Sequence, residues 1–156
     1  MVYSATSGQR VSHAGRVVKP RPHFVDEFWD GASGTMPERN LKILVVEDHG
    51  DTSRLMARLL QGHGHDVRVA EGVNTALAAA RGEPFDLLIS DIGLPDGTGL
   101  ELMRELLARR PIKGIALTGY GLDSDIQATR RAGFDAHLTK PIKFGDVEDV
   151  IRQLAR

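Results

Sequence analysis

Short, nearly continuous runs of β-branched and aliphatic residues alternate along this chain with stretches whose apolar positions recur every three or four residues. Lys42-Ile43-Leu44-Val45-Val46, Leu87-Leu88-Ile89 and Ile115-Ala116-Leu117 are the continuous runs. Such runs suit parallel strands covered on both faces. Asp66-Val67-Arg68-Val69-Ala70 and Ala136-His137-Leu138-Thr139 alternate polar with apolar residues instead. Alternation suits strands at the edges of a sheet, where coverage is thinner.

Helical patterns lie between the runs. Leu55, Met56, Leu59 and Leu60 follow a helical spacing, closed by Gly62 or Gly64. Val73, Leu77 and Ala80 mark a second helix, stopped by Gly82 and Pro84. Thr98-Gly99-Leu100-Glu101 has the form of a capping box ahead of Met103, Leu106 and Leu107, and Ser124-Asp125-Ile126-Gln127 has the same form ahead of a fourth helix. Val147, Val150, Ile151 and Leu154 share one face of a fifth. Strands alternating with helices predict an open, doubly wound α/β fold with a parallel five-stranded sheet. Short connections and edge-like second and fifth strands favour the order 2-1-3-4-5. In such a sheet chemistry collects beyond the carboxyl ends of the strands, beside the first one.

Composition narrows the function classes. The 156 residues contain no cysteine, 41% hydrophobic residues, and 20 Lys plus Arg against 21 Asp plus Glu. Disulfide frameworks, thiolate metal sites and thiol catalysis are excluded. The near-neutral balance argues against a polyanion binder, so no direct nucleic-acid contact is expected. No apolar stretch has the roughly 20 residues needed to span a bilayer. The first ten residues lack the charged and apolar regions of a secretory signal. The expected location is the cytoplasm, away from membranes. Residues 1–40 are rich in Gly, Ser, Pro, Arg and His, and read as a disordered extension ahead of a folded domain over 41–156. Within that extension His23-Phe24-Val25-Asp26-Glu27-Phe28-Trp29-Asp30 is a short acidic–aromatic patch.

The strand ends carry the candidate chemistry. The first ends in Glu47-Asp48, the third in Asp91, the fourth in Thr118 and the fifth in Thr139-Lys140-Pro141. A lone Asp in such a place is commonly a cap or turn residue: Asp51 can cap the first helix, and Pro95-Asp96-Gly97 is a turn sequence. Three carboxylates at neighbouring strand ends repel one another unless a cation joins them. Oxygen-only ligands point to a hard ion such as Mg²⁺. With the Thr118 hydroxyl and the Lys140 ammonium they form an electrostatic clamp suited to a phosphoryl group.

Four blocks together resemble the receiver domains of two-component response regulators: Ile43-Leu44-Val45-Val46-Glu47-Asp48, Leu87 through Gly97, Ala116-Leu117-Thr118-Gly119, and Leu138-Thr139-Lys140-Pro141-Ile142. The resemblance covers residues 41–156 and implies a (βα)5 flavodoxin-like fold. It also implies roles. Asp91 is then the phosphoacceptor. Mg²⁺ is held by Asp48, Asp91 and the Gly93 backbone carbonyl, with Glu47 acting indirectly. Thr118 is the switch hydroxyl, Lys140 pairs with the phosphoryl group, and Lys140-Pro141 takes the family's cis-peptide position. His137 stands at the switch aromatic position, where its ring can swing inward. Gly119 is small like the Ala of many receivers, and Gly93 and Tyr120 lie two residues beyond Asp91 and Thr118, where this family sets phosphoryl lifetime.

The function expected is a phosphorylation-dependent signalling switch rather than an enzyme, one that assists at most its own phosphorylation and dephosphorylation. The donor is a sensor histidine kinase or a histidine phosphotransfer protein. The final predicted helix closes near Arg156, so output is expected through contacts with a downstream protein or by onward transfer. The rivals are a Mg²⁺-dependent aspartyl-phosphate phosphatase, a flavodoxin-like cofactor binder and an unphosphorylated scaffold. The phosphatase lacks its Asp-x-Asp pair after the first strand. The cofactor binder would need phosphate-gripping residues where Glu47-Asp48 stand.

Overall fold

A computed structural model describes residues 40–119 and 123–154. The elements run β1 (Lys42–Val46), α1 (Gly50–Gly62), β2 (Asp66–Ala70), α2 (Val73–Gly82), β3 (Leu87–Asp91), β4 (Gly93–Leu94), β5 (Gly97–Thr98), α3 (Gly99–Arg109), β6 (Lys113–Thr118), α4 (Asp123–Ala132), β7 (Ala136–Thr139) and α5 (Phe144–Leu154). The large sheet is parallel, in the order β2-β1-β3-β6-β7, and β4 and β5 form a separate antiparallel ribbon. Counting only the large sheet, that is the expected order 2-1-3-4-5. The expected extension over residues 1–40, with its acidic–aromatic patch, lies outside the described residues except for Asn40, as does Tyr120.

Period-two alternation divides the strand side chains between two layers. Leu44, Val46, Leu88 and Ala116 join Val73 and Ala76 of α2, Leu102, Met103 and Leu106 of α3, and Ala132 of α4 in one buried cluster. Ile43, Val45, Leu87, Ile89, Ile115 and Leu117 alternate with them and are equally buried, as are Met56 and Leu60 of α1 and Val147 and Ile151 of α5. Strand β6 is buried throughout and β1 and β3 at all but one end residue each, while β2 and β7 are mostly exposed or half-buried.

Three local expectations change. The buried face of α1 is Ser53, Met56, Ala57 and Leu60, one coherent i, i+3, i+4, i+7 stripe, and Leu55 falls outside it at 56% exposed. Asp51 is not the α1 cap: His49 holds that position, and Asp51 sits in the first turn, paired with Arg54 at 2.7 Å. Ser124 lies inside α4, one residue past its start, so it does not cap that helix. The α3 capping box is present in full: Thr98 Oγ1 accepts from the Glu101 amide and Glu101 Oε1 from the Thr98 amide, both at 3.1 Å.

Asp96 does more than shape a turn. Helix α2 begins after Gly72, which has no side chain with which to cap it. Asp96 supplies the cap from the ribbon, accepting from the Val73 amide at 2.7 Å and the Asn74 amide at 2.9 Å. A Cβ on Gly72 would lie 2.6 Å from Asp96 Oδ1, so the glycine makes room for this borrowed cap. The Asn74 and Val73 amides hold the Asp96 carboxyl below its ordinary 3.8. A depressed folded value means that Asp96 stabilises the fold above pH 3.8, and that the contribution fades as pH falls through the lowered value. Asp96→Ala should therefore lower the denaturant midpoint at pH 7, and its deficit against the wild type should narrow below pH 3.8. A deficit independent of pH would contradict the carboxylate cap.

Candidate functional site

The parallel register sets the site. Val46 pairs with Ser90 and Asp91 with Leu117, so Glu47, Asp91 and Thr118 all emerge at the carboxyl edge of adjacent strands. Thr118 pairs with Thr139, and the Lys140 amide donates to the Thr118 carbonyl at 2.8 Å, which anchors the lysine beside them. The Lys140–Pro141 peptide bond is cis, as the resemblance implies.

The Lys140 side chain reaches back over the edge. Its Nζ donates to Asp91 Oδ2 at 2.8 Å and to Glu47 Oε1 at 3.3 Å. Glu47 is only 1% exposed, while Asp91 and Lys140 are half-buried. Burial works against the ammonium's charge. The hydrogen bond and charge of Asp91, with Glu47 behind it, more than offset this and hold Lys140 protonated above its ordinary 10.5.

Asp91 is fixed from its backbone. The buried Ser90 hydroxyl donates to the Asp91 carbonyl at 2.8 Å, and Gly99 opens α3 so close that a Cβ there would stand 2.2 Å from that oxygen. Only glycine lets the helix start against the strand in this way. Thr118 is 2% exposed, and its Oγ1 is the buried side-chain polar atom without a hydrogen-bond partner among the described residues.

Asp48 is exposed. It groups with Glu47 and His49, whose ligand atoms lie within 4.8 Å of one another. His49 Nδ1 is 3.2 Å from Glu47 Oε2 and 3.6 Å from Asp48 Oδ1. His49, which the sequence reading did not single out, stands in this group; its one sequence signal was a His directly after the acidic pair. Gly93 is exposed at the start of the ribbon, and a Cβ at Gly93 or Gly119 would meet nothing within 4 Å. His137 is half-buried in β7, opposite Ala116.

The fold is a doubly wound α/β domain that gathers two carboxylates, a lysine and an unpaired hydroxyl at the carboxyl edge of its sheet. The response regulator receiver domain model matches residues 43–152, and the chain belongs to that family. It is 38% identical over 117 residues to the response regulator protein PilR of Pseudomonas aeruginosa, covering 74% of this chain and 26% of that protein. It is 40% identical over 105 residues to an uncharacterised 14.6 kDa protein of Leptolyngbya boryana, covering 65% of this chain and 80% of that one. Among solved structures, a CheY-like receiver domain protein of Methanospirillum hungatei superposes with a TM-score of 0.69 at 31% identity, covering 74% of this chain and 93% of the other. The chain thus spans 26% of PilR, and 51% of the KDP operon regulatory protein KdpE of Escherichia coli. Receiver domains are regulatory phosphoacceptor modules of two-component signalling, not classical enzymes. No helix among the described residues is long and apolar enough to cross a membrane.

The raised Lys140 value has a sign that can be tested. Its ion pairs contribute stability below pH 10.5, and the contribution is lost as pH rises through the elevated folded value. Lys140→Met should unfold at lower denaturant than the wild type at pH 7, and the two should converge above pH 10.5. A constant difference across that range would mean that packing of the lysine stem, not its charge, matters.

Proposed function

We propose that Asp91 accepts a phosphoryl group from the phosphohistidine of a sensor histidine kinase or histidine phosphotransfer protein. Asp48, Asp91 and the Gly93 carbonyl would hold Mg²⁺, with Glu47 acting indirectly. The donor set suits a hard divalent ion, because two acidic side chains stand together at the end of β1 beside the Asp91 edge. The bound ion supplies charge neutralisation to the carboxylates and the phosphoryl oxygens.

In the transfer, a carboxylate oxygen of Asp91 forms a bond to phosphorus as the P–N bond to the donor imidazole breaks, and the released nitrogen takes a proton from solvent. Ser90 and Gly99 keep the acceptor's backbone in place. Lys140 starts on Asp91 Oδ2 and follows the added negative charge onto the phosphoryl oxygens.

The observation that carries the switch reading is the orphaned Thr118 hydroxyl. A buried donor without an acceptor is costly, and a phosphoryl oxygen on the neighbouring strand end would satisfy it. Its movement toward phosphate would vacate space for the His137 ring to enter. The repacking then runs to the face formed by α4, β7 and α5, where a downstream protein would read it. The phosphatase alternative shares the aspartyl phosphate and differs in turning it over.

Intact mass spectrometry with a small phosphodonor and Mg²⁺ should show one labile phosphate on the wild type and none on Asp91→Asn. An unchanged adduct in the variant would sink the acceptor assignment, and steady donor turnover without adduct would favour the phosphatase. Millimolar Mg²⁺ should raise the thermal midpoint of the wild type and not of Asp48→Ala.

Thr118→Val removes the unpaired hydroxyl at nearly constant shape. It should stabilise the unmodified protein by about 1 kcal/mol, yet confine the amide chemical-shift changes caused by a phosphoryl mimic to the strand ends. Equal shifts on α5 in both proteins would remove Thr118 from the coupling.

A further inference from the structure

Of the ligands proposed for Mg²⁺, the Gly93 carbonyl is the one that belongs to the backbone, so no side chain can turn to bring it to the ion. Nothing at Gly93 itself holds it in place: the residue is exposed, and a Cβ there would meet nothing within 4 Å. Its position is set by the β4–β5 ribbon, in which Gly93 pairs with Thr98 and Leu94 with Gly97. A ribbon of two residues a side does not keep its shape unaided and depends on what it is tied to.

The base of the ribbon is tied by backbone. The Gly99 amide donates to the Ile92 carbonyl at 2.8 Å, and the Ile92 amide to the Leu117 carbonyl at 3.2 Å. Leu94 packs against the buried cluster, an apolar contact without direction. The tip is tied by Asp96, whose two oxygens accept from the Val73 and Asn74 amides at 2.7 and 2.9 Å. These bonds are charge-assisted and gain from the dipole of α2. Beside them Gly97 lies so close to α2 that a Cβ on it would stand 3.1 Å from Val73 Cγ2.

Helix α2 also has a cap of its own. Thr75 Oγ1 accepts from the Gly72 amide and donates to the Gly72 carbonyl, both at 3.1 Å. The helix start therefore has two supports, whereas Asp96 gives the ribbon tip its side-chain hydrogen bonds among the described residues. On the reading that Asp48, Asp91 and the Gly93 carbonyl hold Mg²⁺, we propose that Asp96 is a positioning residue for the ion: by fastening the ribbon tip to α2 it fixes where the Gly93 carbonyl stands, and so sets the affinity. Asp96 touches neither the ion nor the phosphoryl group in this role.

The test compares Asp96→Ala and Asp96→Asn with Thr75→Ala, which strips α2 of its local cap and leaves the ribbon tied. Amide spectra of the metal-free full chain are one readout, and isothermal titration with Mg²⁺ is the other. Without metal, Asp96→Ala should shift the Gly93 and Leu94 amide signals, and Thr75→Ala should leave them in place. Asp96→Ala should weaken Mg²⁺ binding about tenfold, and Thr75→Ala by less than about twofold. Asp96→Asn keeps one acceptor oxygen and should fall between wild type and Asp96→Ala. Equal losses in Asp96→Ala and Thr75→Ala would mean that Asp96 acts through the stability of α2 and would overturn the proposal. So would Mg²⁺ affinity untouched by Asp96→Ala but abolished by Asp48→Ala, which would leave the cation site standing. A wild type that binds no Mg²⁺ would overturn the cation reading and this proposal with it.

Discussion

Two carboxylates at the ends of neighbouring parallel strands, Glu47 and Asp91, are held together by one ammonium. Lys140 contacts both, and its cost of burial is offset by them. Every larger feature serves that contact. The order β2-β1-β3-β6-β7 puts Glu47 and Asp91 side by side, and the bond between the Lys140 amide and the Thr118 carbonyl brings the lysine to them from beyond β6. Without the cation the carboxylates would repel across a dry edge, where such forces are poorly screened. The arrangement leaves a basic group already beside Asp91, where new negative charge would develop.

The surroundings of Asp91 are unequal on its two sides. Toward α2 and α3 they are tightly tied: Ser90 and Gly99 grip its carbonyl, the Gly99 amide bonds the Ile92 carbonyl at 2.8 Å, and Asp96 fastens the ribbon to the start of α2. Toward β6 and β7 lie an unpaired hydroxyl at Thr118 and half-buried side chains along β7. A change of charge at Asp91 meets a rigid wall on one side and adjustable groups on the other. Under the proposed function, this asymmetry gives the signal its direction, toward β7 and α5.

The fold was legible because its central strands are buried on both faces and therefore read as unbroken apolar runs, while β2 and β7 betray their edge positions by alternation. The strand-end residues were legible because parallel pairing aligns successive strand ends. What the sequence hid was of two kinds. The phase of α1 was misread because Leu55 looked like core, whereas the small residues Ser53 and Ala57 fill the stripe against the sheet. Long-range polar partnerships were the other kind. Asp96 caps a helix that starts 23 residues before it, which leaves no local pattern.

The central claim is that a phosphoryl group lands on Asp91, and reductive trapping tests it most directly. Borohydride reduction of the phosphorylated chain, followed by peptide mass spectrometry, converts an aspartyl phosphate to homoserine at the modified position. The account predicts homoserine at position 91 alone. Homoserine at position 48 or 96, or reduction at position 47, would contradict it.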